Sequence, residues 1–175
     1  MSAPRFLRPE ASEYATFYAG YVGLVPDGDL LDTLERQGED TARILGALPE
    51  ARGDHAYAPG KWTVKEVLGH LADGERVFSY RALSFARGDA TPLPGFEENA
   101  WVPASGAGDR TLSSLVAELR AVRGATLALL RGLPPGADLR RGVANEQEIS
   151  VRGLAWVIAG HERHHLKILR ERYLD

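Results

Sequence analysis

Cysteine is absent from the 175 residues. That excludes disulfides, zinc–thiolate centres, iron–sulfur clusters and a protein thiol nucleophile, and it fits a reducing compartment. A basic excess is also missing: 21 Lys and Arg stand against 24 Asp and Glu, for a net charge of −3. Binding to phosphate backbones rests on clustered positive charge, so no nucleic-acid partner is expected. Long apolar runs are missing too. One apolar run, Leu154 to Gly160, has only seven residues, whereas a membrane-spanning helix needs ~20. The opening Met1-Ser2-Ala3-Pro4-Arg5-Phe6 lacks the apolar centre of a signal peptide. The expectation is a soluble, cytoplasmic protein with no membrane partner. There are no internal repeats and no low-complexity tracts.

What is present is an ordinary globular composition, 44% hydrophobic and 26% charged. The length suits one domain over residues 1–175, large enough to bury roughly 70% of its unfolded surface. Gly and Pro clusters cut the chain into four long helical patterns. The first follows Pro26-Asp27-Gly28-Asp29 and ends near Leu48, ahead of Pro49. The second opens at Thr63-Val64-Lys65-Glu66, where Thr63 and Glu66 spell a capping box, and Gly88 ends it. The third runs from about Thr111 to Arg131, and the fourth from Ser150 as N-cap to about Tyr173. A short extra helix is expected before Pro26. No stretch alternates with period two, so no strand is expected. The fold class expected is all-α, a four-helix bundle whose long connections admit crossovers. Residues 88–110 form a loop long enough to be functional, with Phe96 and Trp101 expected to fold back onto the bundle.

The five histidines carry the chemical signal: His55, His70, His161, His164 and His165. At about 100° per residue, His165 falls about 40° from His161, and Leu154, Val157, Ile158 and Ile168 surround the pair. Two imidazoles one turn apart on an inward face can share a cation at ~2.0–2.1 Å. The competing reading is a pair of neutral core histidines bonded to carbonyls or water. His164 lies at the edge of the stripe and Glu162 towards its flank, as a solvated or supporting carboxylate. On the second helix His70 sits at the boundary of the apolar face, beside the open space left by Gly74, and is the natural third ligand. His55 falls in a loop and has no assigned role.

These residues resemble a known family. Trp62-Thr63-Val64-Lys65-Glu66-Val67-Leu68-Gly69-His70-Leu71 resembles the second-helix signature of the DinB/YfiT-like metalloenzymes, in which a Trp opens the helix and a His follows eight positions later. Gly160-His161-Glu162-Arg163-His164-His165-Leu166-Lys167-Ile168 is similar to the family's last-helix His-x-x-x-His signature. The resemblance spans roughly Gly28 to Leu169. One departure is Gly74, where a larger residue is expected. The resemblance implies a four-helix bundle, a divalent metal (Zn, Ni or Fe) held by His70, His161 and His165, and a homodimer, for which Phe96, Trp101 and the N-terminal aromatics would supply a contact.

The resemblance also implies chemistry on a small-molecule substrate. Several relatives are transferases or isomerases that use a low-molecular-weight thiol against small electrophiles. A thiol on such an ion would be deprotonated, and without cysteine it must come from a small cofactor. The loop over 88–110 would then cover the cleft. Two alternatives stand beside this. His161-Glu162-x-x-His165 also spells the zinc-hydrolase signature His-Glu-x-x-His, with Glu162 as general base on a metal-bound water, although only ten residues follow His165. The other is a non-catalytic metal-binding stress-response protein.

Overall fold

The computed structural model describes residues 6–174. Met1–Arg5, part of the stretch read for a leader, and Asp175 lie outside the described residues. In chain order the helices are α1 (Ala19–Leu24), α2 (Leu30–Gly46), α3 (Val64–Ala86), α4 (Glu98–Ala104), α5 (Leu112–Arg131) and α6 (Val151–Arg172). Each long helix begins at a side chain that satisfies its free amides. Asp29 accepts from Leu31 and Asp32 at the head of α2. Thr63 and Glu66 form the expected capping box on α3. Thr111 accepts from Ser114 on α5, and Ser150 from Gly153 on α6. None of the described helices is long and apolar enough to cross a membrane.

The four long helices make the all-α bundle expected from the periodicity. Its wiring is a crossover arrangement. The helix α3 packs on α5 and α6, and α2 packs on the same two, while α2 and α3 face each other across the bundle. Chain-consecutive long helices on opposite corners need long connections, which residues 47–63 and 132–150 provide. The short α1 lies along α6. Gly160 permits this, since a Cβ there would stand 2.1 Å from the carbonyl oxygen of Tyr21.

Two elements depart from the sequence reading. The first is a β-hairpin, β1 (Arg141–Ala144) and β2 (Gln147–Ser150), antiparallel with Ala144 opposite Gln147. Its two turn residues, Asn145 and Glu146, have φ of 52° and 62°, the both-positive pattern of a tight hairpin turn. The hairpin lies on α3, and Gly142 faces Phe85 so closely that a Cβ would come within 2.1 Å of its ring. The second is the loop over 88–110. It contains α4, and Leu93 exchanges backbone hydrogen bonds with Val143 and Asn145 on the hairpin. Phe96 does fold back, with its ring 6.5 Å from Phe78. Trp101 packs on Phe96 at 5.1 Å but stays 45% exposed.

The apolar core is split in two. One part gathers Leu34, Phe85, Leu130 and Trp156. The other gathers Leu45, Leu68, Leu115 and Leu169. On every long helix a polar buried residue separates the two: Gln37 on α2, His70 and Glu75 on α3, Arg123 on α5, His161 and Glu162 on α6. Burial of such groups is unfavourable unless they are paired or ligated, so this polar layer is the part of the bundle that stability alone would not select.

Candidate metal centre

The packing of α3 on α6 brings together His70, His161 and His165. The three ring centroids form a nearly equilateral triangle, with sides of 4.8, 4.7 and 4.7 Å. One ring nitrogen from each lies within 4.8 Å of the others. His70 Nε2 and His161 Nε2 are 2.9 Å apart. Both residues are buried, and His165 is half-buried. The open space beside Gly74 is filled by His161: a Cβ on Gly74 would meet its Cε1 at 3.0 Å. The small residue where a larger one was expected is therefore what admits the second imidazole.

The electrostatics keep all three rings neutral. Burial lowers the His70 pKa to about 4. Burial, reinforced by the imidazoles of His70 and His164, lowers that of His165 to about 3. His161 is shifted well down by burial and by the other three imidazoles. A neutral imidazole presents a lone pair, the form a cation needs. Among the described residues, no carboxylate joins this triangle. Three converging neutral nitrogen donors fit a divalent ion of the imidazole-favouring kind.

Aromatic rings wall the centre. Trp62, which precedes α3, sits 4.8 Å from His70 and 6.4 Å from His165. Phe78 is 5.7 Å from His161, and Tyr21 of α1 is 5.5 Å from it. A cavity of about 400 Å³ opens over the triangle, with Arg81, Glu98 and Asn145 among its lining residues. That volume is in the range of small-molecule sites. A larger cavity, about 740 Å³, lies between α2 and α6 and includes Arg163 and Lys167, but none of the three histidines reaches it.

His164 stays outside the triangle, at the cavity edge beside Tyr21 at 5.3 Å. His55 is remote: its carbonyl accepts from the Val64 amide and its ring meets Tyr173. The expectation for Glu162 needs correction. It is not solvated, being only 2% exposed. Its Oε2 accepts from Arg123 at 2.7 Å and from the Gln37 amide. Arg123 in turn makes a two-pronged bond to Glu75, with both contacts at 2.8 Å. Glu162 is also absent from the lining of the cavity over the histidines, which argues against the zinc-protease role. The reading from sequence missed Arg81, Tyr21, Glu98 and Asn145. Of these only Arg81 had a signal: eleven positions after His70, it returns to within about 20° of the same helical face.

The sequence model of the DinB superfamily matches residues 33–169. A curated relative from Bacillus subtilis (strain 168), named "Putative metal-dependent hydrolase YfiT", is 25% identical over 145 residues, covering 81% of this chain and 80% of that protein. A solved structure of YfiT from Bacillus subtilis, described as a probable metal-dependent hydrolase with an unusual four-helix bundle topology, superposes with a TM-score of 0.65 at 20% identity. It covers 93% of this chain and 91% of the other. That likeness supports the crossover bundle.

Proposed function

This chain belongs to the DinB superfamily, and from that premise we propose that it is a metal-dependent hydrolase of small molecules, with His70, His161 and His165 as the ligands. The observation that supports this most directly is the triangle of neutral imidazoles at the floor of an aromatic cavity. A divalent ion bound there supplies the charge that lowers the pKa of a water or thiol on it. Three protein ligands leave open positions, the form of a catalytic rather than a structural site. The name of the curated relative points the same way.

The remaining roles fall to the lining residues. Trp62, Phe78 and Tyr21 exclude bulk water from the floor. Burial, with the nearby Glu98 carboxylate, raises the Tyr21 pKa, so its hydroxyl keeps its proton and can donate. Glu98 is the one carboxylate among the described lining residues and is the candidate acceptor for a proton released by the nucleophile. Glu162 takes no part, being held by Arg123 and Gln37.

A second reading is thiol transfer to a small electrophile. It is favoured by the lack of any carboxylate in the triangle, because a thiol needs no protein base once it is coordinated. One experiment separates the readings. Metal-replete and chelator-treated protein are assayed against esters, lactones and amides. They are also assayed against a model electrophile with bacillithiol, mycothiol, glutathione or cysteine. Chelator-sensitive hydrolysis without thiol is expected. Rate enhancement only with a thiol would establish the second reading, and none with either would leave metal binding without catalysis.

A further inference from the structure

The cavity above the histidines contains a buried charge that no carboxylate pairs with among the described residues. Arg81 is 3% exposed. Its polar partners are neutral: Nη2 donates to the Pro94 carbonyl at 2.7 Å, and the Tyr18 hydroxyl is its other neighbour. The guanidinium lies 5.9 Å from the centroid of Phe78 and 6.0 Å from that of Phe96. The contrast with Arg123 is instructive. That arginine is likewise shielded from solvent, at 5% exposure, but it holds two carboxylates. Removing an arginine from water without an opposite charge is strongly unfavourable, and ring contacts and one carbonyl offset only part of it.

Phe78 links this charge to the histidines. Its ring contacts Arg81 on one side and His161, 5.7 Å away, on another. His70, Gly74, Phe78 and Arg81 follow one another along a single face of α3. We propose that Arg81 is the substrate-anchoring residue of this site, and that the substrate is a small monocarboxylate with an apolar body. The guanidinium fork matches a planar carboxylate in two-pronged geometry. The body would lie among Phe78, Phe96, Tyr18 and Tyr21, with its reacting bond over the three histidines. Arg81 is the one lysine or arginine among the described lining residues, which suits one negative charge better than a dianionic phosphate. Glu98, on the Tyr21 side, would repel a second. This assignment rests on the proposed site, but it is tested by binding rather than turnover.

The test is titration of benzoate, benzamide and phenyl phosphate into the protein by calorimetry, as purified and after chelation. Metal content is measured alongside, and hydrolysis is scored separately. Benzoate is expected to bind about tenfold or more tighter than benzamide in both forms, the size of one charged hydrogen bond. In Arg81→Gln at matched metal content, benzoate should fall to the benzamide level, and Arg81→Lys should retain part of the preference. Thermal melts report whether each variant is folded. If Arg81→Gln does not fold, the wild-type comparison still decides. Equal binding of benzoate and benzamide, no binding of either, tighter binding of phenyl phosphate, or benzoate binding that survives Arg81→Gln overturns the assignment. Loss of hydrolysis with benzoate selectivity intact would count against the hydrolase reading alone.

Discussion

The Nε2 atoms of His70 and His161 face each other at 2.9 Å, from two helices that are far apart in sequence. Without an ion, one must carry a proton and the other accept it. A divalent ion replaces that proton and recruits His165, whose ring is 4.7 Å from both. Protein purified without a polyhistidine tag should therefore hold about one divalent ion per chain. His161→Ala should lose it, whereas His55→Ala and His164→Ala should keep it, as measured by elemental analysis. Tight binding by the double variant His161→Ala, His165→Ala would reject the ligand set.

Arg123 should be the most destabilising single truncation in the polar layer. Its guanidinium binds Glu75 and Glu162 and also donates to the Leu34 carbonyl at 2.7 Å. Arg123→Met would leave two buried carboxylates facing each other, a loss of ~3–5 kcal/mol. Melting temperature should fall by roughly 10 °C or more. Glu162→Gln removes one of the two negative charges and should be much milder. It should also keep the ion, and any metal-dependent turnover should change by less than about tenfold, since general-base removal costs ~100-fold or more. Loss of turnover with the ion retained would restore Glu162 as a base.

The legible part of this fold was the part written in helical periodicity and caps. The four long helices begin at Asp29, Thr63, Thr111 and Ser150, whose side chains accept the first free amides. His70, His161 and His165 were visible because two inward imidazoles one turn apart are poor core residues. The hairpin was not visible. Its strands are four residues each, neither alternates cleanly, and its turn reads Asn145-Glu146 where Asn-Gly is the usual signal. Glu162 was misread because one helix predicts only direction, and Arg123 arrives from α5, which no local pattern announces. Arg81 was hidden for a similar reason: its meaning lies in the absence of a carboxylate partner among the described residues, which only the packing reveals.

Glu13 should set part of the acid sensitivity. It is buried, which alone would raise its pKa. The Arg152 guanidinium, the Glu10 amide and the Ser150 hydroxyl outweigh burial and hold it at about 2, against an ordinary 4.5. The unfolded chain then binds the extra proton between those two values, so stability rises with pH across that window. The contribution is fully present above about pH 4.5 and is lost as pH falls towards 2. Its size is of the order of 3 kcal/mol at most. In melting curves, wild type should exceed Glu13→Gln at neutral pH, and the gap should close as pH falls through this window. A constant gap would mean that the loss is packing alone.

The turn that closes the hairpin offers a stabilising substitution. Asn145 and Glu146 both hold positive φ, at 52° and 62°. Asparagine tolerates that conformation by local hydrogen bonding, whereas a glutamate there carries a strain of ~1 kcal/mol from its Cβ. The Glu146 side chain is exposed and makes no hydrogen bond or ion pair among the described residues, so nothing is lost with it. Glu146→Gly relieves the strain, while the added freedom of glycine in the unfolded chain takes back part of the gain. The expected net effect is a rise in melting temperature of ~1–3 °C. Glu146→Val, which adds a branched Cβ at the same φ, should lower it. Asn145 lines the cavity and its Oδ1 would stand 2.3 Å from a Cβ on Gly95, so the hairpin also fixes one wall of the site. If the turn is as strained as its dihedrals state, Glu146→Gly should gain stability without altering metal content. A fall in melting temperature for Glu146→Gly would show that the turn carries no strain to relieve.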